Sequence, residues 1–184
     1  MEMVADITAI ILAGGQSSRM GQDKGLMDLN GKPMIQYIIE TVEPIANNII
    51  IIANNLDYEK FGFPVYEDTV KEKGPLAGVV TGLSESKTDL NWIISCDTPY
   101  VTEGLLKELK HELKGFDAVL SSFQGRVHPL ISAYNKSALQ MLTEQLEKEN
   151  LKLMLANSAL KTKIFNANQY DLINFKNLNS KKDL

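Results

Sequence analysis

Cysteine is almost absent from this chain: among its 184 residues only Cys96 carries a thiol. An intrachain disulfide is therefore excluded, and a reducing compartment is expected. A positive charge excess is lacking too. Lys and Arg number 19 against 23 Asp and Glu, a formal net charge of −4. Broad electrostatic binding to nucleic acid is thereby disfavoured, and any phosphate must be held by a few placed cations. No long apolar run is present near the amino terminus. Ile7 to Leu12 is too short for a membrane span or a secretory signal, and Glu2 and Asp6 precede it where a signal would be basic. The expectation is a soluble cytoplasmic protein with no nucleic-acid or membrane partner. Repeats, low-complexity linkers and a second domain are also missing. Residues 1–184 read as one domain, with 44% hydrophobic residues to build its core.

Two nucleotide-binding motifs are absent as well. A P-loop requires Gly-Lys followed by Ser or Thr. The only Gly-Lys is Gly31-Lys32, and Pro33 follows it with neither a hydroxyl nor an N–H to offer. The dinucleotide fingerprint requires glycines at alternate positions, whereas Gly14 and Gly15 are adjacent and lead into Gln16-Ser17. A regulated GTPase is disfavoured accordingly.

What is there begins at Ile7. A continuous apolar run ends at Gly14-Gly15, and a polar loop carrying Arg19 and Lys24 follows. Such a run suits a strand buried on both faces of a parallel sheet. The glycines let the backbone turn sharply and approach a ligand. The loop then offers N–H groups and cations where open α/β sheets bind ligands.

Strand-like and helix-like segments alternate along the rest of the chain. Strands are predicted at Ile7–Ala13, Ile49–Ile52, Phe63–Tyr66, Asn91–Ser95, Asp117–Ser122, Val127–Tyr134 and Lys163–Asn166. Helices are predicted at Pro33–Glu43, Pro75–Ser86, Thr102–Leu113 with Thr102 as N-cap, and Lys136–Glu149, with another from Leu151. The pattern argues a three-layer α/β domain with a largely parallel central sheet. The tail from Asn174 to Leu184 is polar and basic, and its last residues are expected to fray.

The spacing Leu12-Ala13-Gly14-Gly15, Ser17, Arg19-Met20-Gly21, Asp23-Lys24 and Gly31-Lys32-Pro33 resembles the signature loop of sugar-phosphate-type nucleotidyltransferases. Within them it is most similar to the molybdenum cofactor guanylyltransferases, a resemblance that spans the chain and implies a Rossmann-like nucleotidyltransferase domain. In that family the loop holds the nucleotide, which here falls on Leu12, Ala13, Gly14 and Gly15. Its cations hold the triphosphate, a role carried onto Arg19 and Lys24. Arg grips phosphate oxygens with a planar fork and Lys acts as a mobile point charge. Lys32 is the weaker candidate, at the start of a helix.

Cys96-Asp97-Thr98-Pro99-Tyr100 matches the family's metal-binding motif. Asp97 follows the apolar run Trp92-Ile93-Ile94, at the carboxyl end of a buried strand, and is assigned Mg²⁺; a turn or N-cap role is the plain alternative. Mg²⁺ is commonly held by one or two carboxylates plus substrate phosphates. Cys96 reads as a packing residue. An Asp aligned with Asp68 contacts the nucleotide in the family, either at guanine N1–H and N2 or at the ribose. Gly74-Pro75-Leu76-Ala77-Gly78 also matches. Gly78 either admits the base or ribose, or packs helix against sheet, or both. His128-Pro129 falls on the family's acceptor side, and Asn179 on its metal side. Two departures stand out: Ser180-Lys181-Lys182 replaces a Thr-Pro-Glu, and Ile52 stands where several members carry Asn, so that either Asn54 or Asn55 substitutes or the contact is absent.

The resemblance implies transfer of GMP from GTP to a molybdenum-loaded molybdopterin, with Mg²⁺ as cofactor and pyrophosphate released. It also implies transient contact with molybdenum-insertion proteins or acceptor molybdoenzymes. The residues themselves support the narrower statement, Mg²⁺-dependent nucleotidyl transfer. A molybdopterin cytidylyltransferase, a sugar-phosphate nucleotidyltransferase on the same fold, and a non-catalytic nucleotide-binding module are the alternatives. The first two often read Ala-Ala-Gly where this chain has Ala13-Gly14-Gly15, and the lost methyl makes room for a purine.

Overall fold

The computed structural model describes residues 6–13, 23–68 and 74–178. Gly14, Gly15, Arg19 and Asn179, all expected site residues, lie outside them, as do the last residues of the tail.

The apolar run after Asp6 forms strand β1 (Ile7–Leu12), buried at every position. It lies between β4 (Asn48–Ile52) and β6 (Leu90–Ser95), parallel to both. Ile7, Ala9 and Ile11 face one core with Ile49, Ile51, Trp92 and Ile94. Ile10 and Leu12 face a second with Ile50, Ile52 and Ile93. Alternate residues thus feed opposite faces, and both faces are covered, which is why these strands read as unbroken apolar runs.

The helices divide between the faces. α1 (Met34–Val42) and α3 (Glu103–Glu112) cover the first, through Ile35, Ile38 and Val42 and through Leu105, Leu106 and Leu109. α2 (Gly74–Glu85), α4 (Ala138–Glu147) and α5 (Leu153–Asn157) cover the second. Thr102 caps α3 as predicted, its side chain accepting the Leu105 N–H at 3.4 Å. A Cβ on Gly82 would collide with Ile10, so this glycine sets how closely α2 approaches β1.

The sheet has seven strands in the order β5-β4-β1-β6-β8-β7-β9, with β5 at Val65–Tyr66, β7 at Ala118–Phe123, β8 at Arg126–Asn135 and β9 at Thr162–Asn166. The three-layer, largely parallel expectation holds; β8 alone runs against its neighbours. From β1 the chain moves outward to β4 and β5, then returns through α2 to β6 on the other side of β1. The carboxyl ends of β1 and β6 therefore flank a topological switch point, where open α/β sheets bind ligands.

A small hairpin precedes α1. β2 (Asp28–Leu29) and β3 (Lys32–Pro33) pair across Asn30-Gly31, both at positive φ (55° and 91°). Pro33 therefore ends a strand rather than opening the predicted helix, and Asn-Gly between paired residues is the signal that marks such a turn. Leu29 of the hairpin packs with Met27, Met34 and Leu178. Through Leu178 the tail is thereby docked onto the hairpin and the start of α1.

Candidate functional site

The parallel strands end in register. Leu12 pairs with Ile52 on one side and Ser95 on the other. The ladder runs one step further: the Ala13 N–H donates to the Ile52 carbonyl at 2.9 Å and the Cys96 N–H to the Leu12 carbonyl at 3.0 Å. Leu12 and Ala13 are buried, so their part in the floor of the site is backbone and shape.

Beyond Cys96 the chain turns. The Thr98 N–H and hydroxyl both donate to the Ser95 carbonyl, at 3.2 and 2.9 Å. This turn presents Asp97 at the carboxyl end of β6. The Ser95 hydroxyl donates to Asp97 Oδ1 at 2.6 Å. On Oδ2 the contacts are longer: Asn177 Nδ2 donates at 3.4 Å, and Lys24 Nζ stands at 4.0 Å. The Leu178 N–H donates to the Asp97 carbonyl at 2.8 Å. Two of the expected residues, Lys24 and Asp97, thus meet although far apart in sequence, with exposures of 30% and 14% that leave both reachable.

Lys24 opens a 3₁₀ turn, Lys24–Leu26, capped by Asp23. Asp23 Oδ1 accepts hydrogen bonds from the Gly25 N–H at 3.2 Å and from the Tyr58 hydroxyl, and Asn55 Nδ2 donates to Oδ2 at 3.4 Å. Cys96 is buried, and burial, with the Asp97 and Asp23 carboxylates nearby, pushes its thiol well up. It is a packing residue, not a nucleophile.

The other candidates are spread along the same edge. Asp68 follows β5, and its N–H donates to Asn54 Oδ1 at 3.1 Å. Asn55 instead caps the 3₁₀ segment Leu56–Phe61 through the Asp57 N–H. Ile52 is 2% exposed and packs in the core under α2. A Cβ on Gly78 would meet Leu12 at 3.4 Å and Ile52 at 3.9 Å, ordinary contact distances, so the helix–sheet approach demands Gly82 and not Gly78. His128 lies in β8 with its ring 5.1 Å from that of Phe175, and burial, then Arg126, lowers its pKa. Lys32 does not start a helix: it lies in β3, ion-paired to Glu40 and 4.0 Å from the Tyr37 ring centre.

Among the described residues no group of three or more His, Cys, Asp or Glu is arranged to hold a metal. A single carboxylate such as Asp97 suits a hard cation completed by substrate phosphates, as Mg²⁺ commonly is. Sequence reasoning overlooked Ser95, which orients Asp97, and Tyr58, which holds Asp23. Ser95 carried a signal as the polar last residue of a buried strand. Tyr58 carried none, because its contacts are long-range.

A carboxylate and a lysine brought together at a topological switch point suit a phosphate-bearing ligand, and the class is that of the nucleotidyltransferases, shown by the family that the chain matches. The chain belongs to the family described as MobA-like NTP transferase domain, whose model matches residues 9–163. Its relatives include a probable molybdenum cofactor guanylyltransferase of Flavobacterium johnsoniae, 36% identical over 97% of this chain and 94% of that protein. The molybdenum cofactor guanylyltransferase of Haemophilus influenzae is also 36% identical, over 99% of this chain and 97% of its own. In fold, the chain is similar to the molybdopterin-guanine dinucleotide biosynthesis protein A of Archaeoglobus fulgidus, with a TM-score of 0.80 at 23% identity, covering 96% of this chain and 94% of that one. No helix among the described residues is long and apolar enough to cross a membrane.

Proposed function

We propose that this enzyme transfers GMP from GTP to a molybdenum-loaded molybdopterin, releases pyrophosphate and requires Mg²⁺. The observation that carries the reading is the meeting of Asp97 and Lys24, 4.0 Å apart, at the switch point between β1 and β6. Relatives named as molybdenum cofactor guanylyltransferases over nearly the whole chain support the choice of nucleotide and acceptor.

A terminal phosphate oxygen of the acceptor attacks the α-phosphorus. The new P–O bond forms as the bond to the β-phosphate oxygen breaks, and pyrophosphate leaves with that electron pair. No general base is required, because a phosphomonoester has a second pKa near ~6 and is largely ionised at neutral pH. The obstacle is repulsion between two anions. Lys24 offsets it by meeting charge at the phosphate under attack, and Arg19 grips the triphosphate by analogy with the family. Asp97, oriented by Ser95, would hold Mg²⁺, which when bound neutralises the triphosphate. Asp68 takes the guanine edge or the ribose, and His128 and Asn179 contact the acceptor and metal sides. Positioning and charge stabilisation are the protein's whole contribution.

The test is incubation with Mg²⁺, labelled GTP and molybdenum-loaded molybdopterin, following dinucleotide and pyrophosphate. Binding titrations of GTP, CTP, ATP and UTP accompany it. GTP is expected to bind tightest; equal or tighter CTP binding overturns the guanine assignment.

A further inference from the structure

The phenol of Tyr58 touches both described ends of the glycine loop. Its hydroxyl donates to Asp23 Oδ1 and lies 3.5 Å from the Ala13 carbonyl oxygen. Tyr58 comes from a separate connection, the 3₁₀ segment between β4 and β5, and is wholly buried. Its hydroxyl is tightly enclosed: a Cβ on Gly25 would collide with it. Asn55, which starts the same segment, reaches the other oxygen of Asp23. Burial, reinforced by the Asp23 carboxylate, pushes the phenol far above its ordinary range, so it stays protonated and remains a donor. Asp23 caps the turn whose first residue is Lys24.

We propose that Tyr58 and Asp23 form a positioning pair that fixes the Lys24 ammonium in register with Asp97. This pairing rests on the role given above to Lys24. A packing aromatic needs no hydroxyl; this one is directed at a carboxylate adjacent to the phosphate-facing lysine. The ring fills the core, where it packs 6.2 Å from Phe61, while the hydroxyl fixes the turn. A charge that must meet a developing charge loses most of its effect when it is slightly misplaced.

The experiment is a double-mutant cycle of Tyr58→Phe with Lys24→Ala, reading kcat, KM for GTP and thermal melting. Tyr58→Phe is expected to fold, to lower kcat roughly tenfold and to leave KM for GTP within about threefold. In the Lys24→Ala background the same change is expected to cost less than about twofold, because the group it positions is gone. Full kcat in Tyr58→Phe overturns the proposal, as does an equal loss in both backgrounds, which a merely structural hydroxyl gives. If Tyr58→Phe fails to fold, Asp23→Asn takes its place in the cycle: a kcat loss that vanishes without Lys24 supports the pair, and normal kcat overturns it. A crippled Lys24→Ala beside a normal Tyr58→Phe removes this proposal alone. A fully active Lys24→Ala removes the role of Lys24 itself, and the pair with it.

Discussion

The turns at Asp23 and Asp97 both present a carboxylate near Lys24, and they are built differently. At Asp23 the partners are neutral groups of the fold: the buried phenol of Tyr58, the Gly25 N–H and the Asn55 amide. At Asp97 one oxygen is held closely by Ser95, while the other meets Asn177 at 3.4 Å and Lys24 at 4.0 Å. Each carboxylate has one oxygen held by a hydroxyl and the other met by an asparagine amide at 3.4 Å. The difference is electrostatic: Asp23 meets neutral groups of the fold, which marks an anchor, whereas Asp97 Oδ2 also faces the Lys24 ammonium at 4.0 Å, where a cation is favoured.

Asp97→Asn is the hardest test of that contrast. It keeps size and hydrogen-bonding capacity while removing charge. Turnover is expected to fall on the order of a hundredfold or more, as for other lost electrostatic stabilisers. The Thr98 bonds that make the turn run to the Ser95 carbonyl, not to the Asp97 side chain, so melting should barely change. Turnover and melting followed across a Mg²⁺ titration check this. A variant that unfolds while the remaining folded fraction works normally would make Asp97 an anchor too, and the contrast would collapse.

Lys24→Ala tests the cation between the two turns. Contacts made mainly in the transition state appear in kcat, and a loss of roughly tenfold or more is expected with a smaller change in KM for GTP. A rise confined to KM would make Lys24 a ground-state phosphate anchor.

How much of this arrangement was legible in the sequence depends on the range of the forces involved. β1, β4 and β6 read as strands because burial on both faces leaves an apolar run that nothing else explains. Asp97 was legible because it follows such a run at the sheet's carboxyl edge. β8 was legible as a strand but not as the antiparallel one, because direction is decided by its partners. It also carries an irregularity: Leu120 pairs with Ser132 but Ser121 with His128. The carbonyls of that stretch are met by hydroxyls, Ser121 to Ile131 at 2.8 Å and Ser132 to Pro129 at 2.8 Å. No local pattern announces such a repair. The Asn30-Gly31 hairpin, by contrast, is announced locally, because Asn-Gly takes the positive φ that such a tight turn requires at both positions. Tyr58 is the extreme case, since its partners Asp23 and Ala13 belong to another stretch of chain.

A pair of glycines sharpens the boundary between site and scaffold at smaller cost. Gly82→Ala forces a methyl into Ile10, and overpacking of this kind costs about 1–3 kcal/mol. Gly78→Ala places its methyl at ordinary contact distances and should be as stable as the parent or more stable by up to about 1 kcal/mol, through helix propensity. If Gly78 leaves room for the nucleotide, its substitution raises KM for GTP without lowering stability. Unchanged KM would assign Gly78 to packing alone, and denaturant melts of the two variants beside GTP titrations separate the outcomes.

The smallest effect is expected at His128, proposed above to contact the acceptor. Burial lowers its pKa from the ordinary 6.5, and the Arg126 charge lowers it further. Between the folded and unfolded values the unfolded chain therefore binds more protons, and stability rises with pH. The contribution is fully present above the unfolded value near 6.5 and is lost as pH falls through the lowered folded one. His128→Gln removes this term while keeping a polar side chain beside Phe175. Its melting temperature should vary less with pH than that of the parent between about pH 8 and pH 5. The separation from the parent should open only on the acid side. Parallel curves for the two proteins would mean that His128 does not change its proton affinity on folding. An acceptor phosphate bound beside it would raise its pKa by charge attraction, so saturating acceptor should shrink the acid-side loss in the parent and leave the variant unmoved.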